Sequence, residues 1–167
     1  MSCIGVLFAI ESWQTEMLKK CKNDEELVEY IQEEIEEEWD EDWLCETDKA
    51  WDAIHRCFAD GELDLFGGKP PLNAVIFGGE ILNTQPDYYV SLKSNKLVKE
   101  IAKEIKDISK DISKDDLRNL YYKISDSYQV DISEEDFEYT WEWFENVKDF
   151  YVKVAKSNRD VIFTVDQ

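Results

Sequence analysis

Apolar residues in the chain follow two spacings, one of strands and one of helices. Cys3 to Ile10 reads C-I-G-V-L-F-A-I, a run of branched and aromatic residues too short for a buried helix and suited to a buried strand. Ser12 is placed to cap a helix carrying Trp13, Met17, Leu18 and Cys21 at helical spacing, and Asn23-Asp24 restarts the chain. From Asp24 to about Trp39, Leu27, Tyr30, Ile31, Ile35 and Trp39 form one stripe while Glu fills the other positions, which predicts a surface helix with an acidic outer face. Thr47 is placed to cap a further helix with Trp51, Ile54, His55 and Phe58 on its buried face, ended by Gly61. Pro71 fits the first turn of a short helix, Leu72 to Phe77, that Gly78-Gly79 terminates.

The second half repeats these devices. Tyr88 to Leu92 reads as a strand, and Ser94 opens a helix bearing Leu97, Val98, Ile101, Ile105 and Ile108 that trails into the tandem K-D-I-S-K-D-I-S. Ser113 with Asp116, and Ser133 with Asp136, have the spacing of capping boxes. The second box opens the longest helix, about Glu134 to Ser157, with Phe137, Trp141, Phe144, Val147, Tyr151 and Val154 on one face. Val161 to Val165 is the last strand. The expectation is one α+β domain over residues 1–167, mostly helical around about three strands, N-terminal, middle and C-terminal.

Composition narrows the class. At 167 residues, 43% hydrophobic, with six Gly and three Pro, the chain can bury a single core without staples. No stretch approaches the ~18 apolar residues of a spanning helix, and no signal-peptide pattern is present, so the expected compartment is the cytoplasm. Cys3, Cys21, Cys45 and Cys57 stand far apart with no CxxC pair and read as reduced thiols.

Charge changes the picture most. The formal net charge is -20, and the twenty-five residues from Asp24 to Asp48 hold fourteen acidic residues and no Lys or Arg. Such a chain repels nucleic acid and anionic lipid, so neither is an expected partner; a partner, if any, is basic. The acidic residues after Ile35 also carry the wrong sign for a helix C-terminus. One reading of the run is a solvated face. The other is a binding surface in which Glu33, Glu36, Glu37, Asp40 and Asp42 ring the anchors Trp39 and Trp43 and engage a toxin, nuclease or nucleic-acid-binding protein, as an inhibitor or immunity-type factor does.

The alternative is a small enzyme or ligand-binding protein. His55 is the only histidine; with Asp52 one turn away and Glu80 after the glycine pair it offers an acid–base group, in a pocket that would include Trp51, Gly78 and Gly79. Against it, a lone His is commonly a packed helix residue, and no GxSxG motif accompanies it. Gly67-Gly68-Lys69 lacks the earlier Gly and the Ser or Thr of a phosphate loop. A calcium loop from Asp40 fails at Cys45 and Trp51, and Cys45, His55 and Cys57 lack zinc spacing, so neither metal nor cofactor is expected.

Five stretches together resemble the YfbM-like family of bacterial proteins: I-G-V-L-F-A-I, D-K-A-W-D-A-I-H from Asp48 to His55, P-L-N-A-V-I-F-G-G from Pro71 to Gly79, Y-V-S-L, and the closing V-I-F-T-V. The resemblance spans essentially the whole chain and implies a compact α+β fold and a bacterial or phage origin. It implies no activity, because the family is one of unknown function. The acidic run departs from the family pattern, in which that helix is less charged.

Overall fold

The computed structural model describes residues 3–83, 85, 87–107 and 109–166. Its centre is a five-stranded antiparallel sheet, in the order β2-β1-β5-β4-β3. The strands are β1 (Gly5–Ile10), β2 (Leu44–Asp48), β3 (Glu80–Ile81), β4 (Tyr88–Lys93) and β5 (Asp160–Asp166). The two terminal strands pair along their whole length, from Gly5 opposite Val165 to Ile10 opposite Asp160. Chain ends are thereby tied into the middle of the fold.

Both faces of the sheet are covered, which explains why β1 is a continuous apolar run and not an alternating one. On one face Leu7, Ala9, Val161 and Phe163 pack against α3 (Trp51–Phe58), α4 (Asn95–Ile105), α5 (Lys114–Tyr121) and the long α6 (Glu134–Ala155). On the other, Val6, Phe8, Ile10, Val90 and Ile162 pack against Leu18 of α1 (Ser12–Lys20), Leu27 of α2 (Asp24–Tyr30), and Ile31 and Ile35. At roughly 25 cal/mol per Å² of apolar surface removed from water, these two faces carry the fold.

Sequence and structure part at specific places. The sheet has five strands where the sequence shows three: β2 hides inside the acidic run, with Cys45 and Thr47 buried and Glu46 exposed, and β3 is only two residues. Thr47 does not cap α3; its hydroxyl donates to the Gly5 carbonyl at 2.7 Å, fastening β2 to β1, and Ala50 stands at the N-cap. α1 is capped by Glu11 in a box with Gln14, one residue before Ser12. The helix expected over 72–77 is a 3₁₀ turn, Leu72–Ala74. Ser94 caps α4 as read, but that helix ends at Ile105, and Ile108 of its expected stripe lies outside the described residues. The Ser113–Asp116 box closes both ways, whereas at α6 Ser133 caps alone. There the Asp136 carboxylate accepts the hydroxyls of Tyr121 (2.7 Å) and Tyr128 (3.0 Å).

The segment before β3 is held by polar groups in the core. Gly78 and Gly79 take positive φ, +87° and +66°, and a Cβ on Gly79 would lie 2.3 Å from the Leu92 carbonyl oxygen. The carbonyls just before this bend find side chains: Tyr151 donates to Val75 O at 2.5 Å, and Ser91 to Ile76 O at 3.0 Å. Lys93, wholly buried, also donates to Ile76 O and, at 2.5 Å, to Ser91 Oγ. Burial pushes its ammonium well below the usual lysine range.

Candidate functional site

The acidic run folds into four pieces: a helix, a π-helical segment, a 3₁₀ turn and a strand. α2 starts correctly, with the Asn23 side chain accepting from Glu26 N at 2.9 Å and acidic residues in its first turn. Ile31–Glu36 then widens into π-helix, sealed by the Glu37 N–H on the Gln32 carbonyl at 3.0 Å. That widening turns Glu36 inward, where its Oε1 accepts from the Tyr88 hydroxyl and from Thr164 Oγ1 at 3.2 Å. Glu36 therefore pins the helix to the sheet, while Glu33 and Glu37 stay exposed.

Trp39 turns the chain at φ +44°, a conformation costly for a bulky residue. Its ring meets the Phe8 ring edge-on at 5.8 Å and remains 37% exposed. Asp40 caps the 3₁₀ turn Glu41–Trp43 by accepting from Asp42 N at 3.1 Å. Trp43 is not free: the Arg159 guanidinium lies 4.0 Å and the Lys153 ammonium 4.8 Å from its ring centroid. Lys153 also donates to the Asp42 carbonyl, placing a cation where the sequence shows only acid.

These pieces form one wall of an open groove of about 420 Å³, and α6 forms the other. Trp39, Glu41 and Asp42 line the first wall; Trp143, Asn146, Asp149, Phe150 and Lys153 line the second; Leu44, Cys45 and Glu46 form the floor. Four carboxylates and three aromatic rings thus face a cleft whose only lining cation is Lys153. Carboxylates attract a cation at long range, and indole faces hold one at short range. Of the acidic-run residues singled out from the sequence, Trp39 and Asp42 line the groove. Asp40 and Trp43 sit beside it with Arg159, and Glu33 lines a separate shallow groove with Met17, Cys21 and Tyr30. The α6 wall was missed, although Trp143, Asn146, Phe150 and Lys153 share one helix face.

The histidine group does not assemble. His55 is 1% exposed, donates from Nε2 to the Asp64 carbonyl at 2.6 Å, and packs its ring edge-on against Phe77 at 5.1 Å. Burial lowers its pKa, so it is held neutral, and Nδ1 has no partner among the described residues. Asp52, expected to orient the ring, instead binds Arg56 at 2.5 Å, and Arg56 reaches on to Ser127 at 3.0 Å. Glu80 is exposed on β3 and faces Lys19 at 3.7 Å. Trp51 is buried, its indole donating to the Cys3 carbonyl at 2.8 Å, and Gly78-Gly79 serve the bend before β3.

Burial pushes the Cys45 thiol up to about 12 and the Cys57 thiol higher still, so neither is a ready nucleophile or metal ligand. Among the described residues no cluster of His, Cys, Asp and Glu is placed to hold a metal ion, and no helix is long and apolar enough to cross a membrane.

No curated protein matches the sequence. Among solved structures, the chain is similar to one titled as the crystal structure of a protein of unknown function, YfbM, from Escherichia coli. The TM-score is 0.67 at 13% identity, covering 97% of this chain and 99% of that one, a likeness of fold alone. A family model described as "Domain of unknown function (DUF1877)" matches residues 1–164. With all but the last two residues of the sheet and both helical layers inside that span, the chain belongs to the DUF1877 family, the YfbM-like α+β proteins of unknown function.

Proposed function

We propose that this protein is a non-enzymatic binding factor, of the inhibitor or immunity type, that engages a basic protein such as a toxin, nuclease or nucleic-acid-binding protein. The observation that carries the reading is the groove between the acidic run and α6, where Glu41, Asp42, Glu46 and Asp149 surround Trp39, Trp143 and Phe150. Aromatic surface within a rim of charge is the arrangement of a binding hot spot, and one-sign charge steers a partner of the other sign. The reading locates its aromatic anchors at Trp39 and Trp143 in place of Trp43, whose ring is engaged by Arg159 and Lys153. An enzymatic reading has less support, since His55, Asp52 and Glu80 are each committed to different partners.

The test is capture of a partner from the native host, followed by association kinetics with the protein and with a variant carrying Glu37→Gln, Asp40→Asn, Glu41→Gln and Glu46→Gln. Association should slow by about tenfold or more at low salt, with an unchanged or raised melting temperature. Equal rates at low salt would return the acidic run to a solvated face.

A further inference from the structure

β2 is the outermost strand on its side of the sheet, joined to β1 by the pairs Val6–Glu46, Leu7–Cys45 and Phe8–Leu44. Alternate residues of such a strand turn their main-chain N–H and C=O away from the sheet. Among the described residues, no hydrogen bond joins the main chain of Leu44, Cys45 or Glu46 to a neighbouring element other than β1; within the strand, the Cys45 thiol donates to the Glu46 carbonyl at 3.6 Å. The groove runs along this edge. Leu44 packs with the core on one face of the sheet and Cys45 with the core on the other, yet both line the groove.

The two walls also come from opposite faces. Trp39 meets Phe8 edge-on on the side of α2, and Trp143 and Phe150 belong to the core beneath α6. A chain laid along the edge would therefore meet an aromatic ring on each side, with Trp39, Glu41 and Asp42 on one and Trp143 with Asp149, which Lys106 also reaches at 3.2 Å, on the other.

Resting on the basic-partner reading above, we propose that the partner binds by strand addition, laying an extended, continuous run of Lys and Arg along Leu44–Glu46. Successive side chains of an added strand point to opposite faces, so both alternating sets are cationic here, and a strictly alternating basic–apolar strand fits less well. Main-chain hydrogen bonds to β2 supply affinity, and Glu41, Asp42, Glu46 and Asp149 around the edge supply selection. The three residues Leu44–Glu46 set a footprint of about 10 Å, since the Thr47 carbonyl already accepts from Ala50 N. The same carboxylates exclude a second copy of the chain, whose own β2 edge would bring acid against acid.

Acetylated, amidated hexalysine is the probe, compared with hexalysine N-methylated at every residue, which keeps the charge and loses the amide donors. Affinities are measured by calorimetry at low salt, and amide hydrogen exchange is followed across 44–46. The unmethylated peptide should bind at least tenfold more tightly and should slow exchange in β2. Equal affinities with unchanged exchange would overturn strand addition while leaving the basic-partner reading standing. Failure of both peptides to bind would sink both readings. A concentration-dependent dimer that protects the β2 amides would show that a second copy occupies the edge, and would overturn the proposal.

Discussion

Lys93 is buried with no carboxylate in ion-pair range among the described residues, so its replacement by Met offers a sharp test of how the core is charged. Its hydrogen bonds go to Ile76 O and Ser91 Oγ, and the centroid of the Phe163 ring lies 5.7 Å from its Nζ. A neutral amine satisfies this geometry, while an ammonium would need an anion that is absent. In the unfolded chain the same group is protonated up to its ordinary value of 10.5. The folded pKa is depressed, so the stability it contributes is present above 10.5 and lost as pH falls toward the folded value. One proton is involved, giving a slope of at most about 1.4 kcal/mol per pH unit in the alkaline range below 10.5. Met fills nearly the same space and carries no such cost. It loses two hydrogen bonds worth about 1 kcal/mol each, but Ser91 still donates to Ile76 O at 3.0 Å, so no carbonyl is orphaned. Buried thiols and phenols such as Cys57 and Tyr88 lose stability as pH rises, yet they are common to both proteins and cancel in the difference. Urea unfolding of the protein and Lys93→Met across this range should show the variant's advantage shrinking as pH rises, by up to about 1.4 kcal/mol per unit. Parallel curves would show that Lys93 stays charged in the folded state and refute the reasoning.

Two further outcomes follow from the site. Glu36→Ala should destabilise by about 1–3 kcal/mol, because the buried hydroxyls of Tyr88 and Thr164 lose their acceptor, whereas Glu37→Gln should change stability by less than about 0.5 kcal/mol; urea midpoints with constant slopes check both. His55→Ala should cost about 1–3 kcal/mol through the lost bond to Asp64 O and the lost packing on Phe77, and a thermal melt reads it. The same variant should remove a fall in stability as pH drops below 6.5, since the depressed folded pKa keeps His55 neutral while the unfolded histidine takes up a proton.

Burial on a long face was legible in the sequence, because a stripe such as Phe137, Phe144, Val147, Tyr151 and Val154 requires one helix wide and one core beneath it. Caps were legible where the side chain and the helix were adjacent, as at Ser94, Ser113 and Ser133. What stayed hidden depends on contacts remote in sequence. Leu44–Asp48 is a strand only because β1 lies beside it, forty residues or so away along the chain, and Thr47 is diverted from capping by the same neighbour. Glu36 looked like its exposed neighbours until the π-helical turn rotated it toward Tyr88, and nothing in a run of glutamates distinguishes the one that faces in. The candidate groove was half visible for the same reason: its acidic wall is contiguous in sequence, but the opposing wall is supplied by α6 about a hundred residues later. Lys153 completes that logic. Its ammonium answers the Asp42 carbonyl and the Trp43 ring, so the helix-end charge that looked unfavourable from the sequence is partly compensated from across the groove. Among the described residues Glu41 and Glu46 have no such cation, whereas Asp149 pairs with Lys106 at 3.2 Å, and all three lie along the open edge of β2.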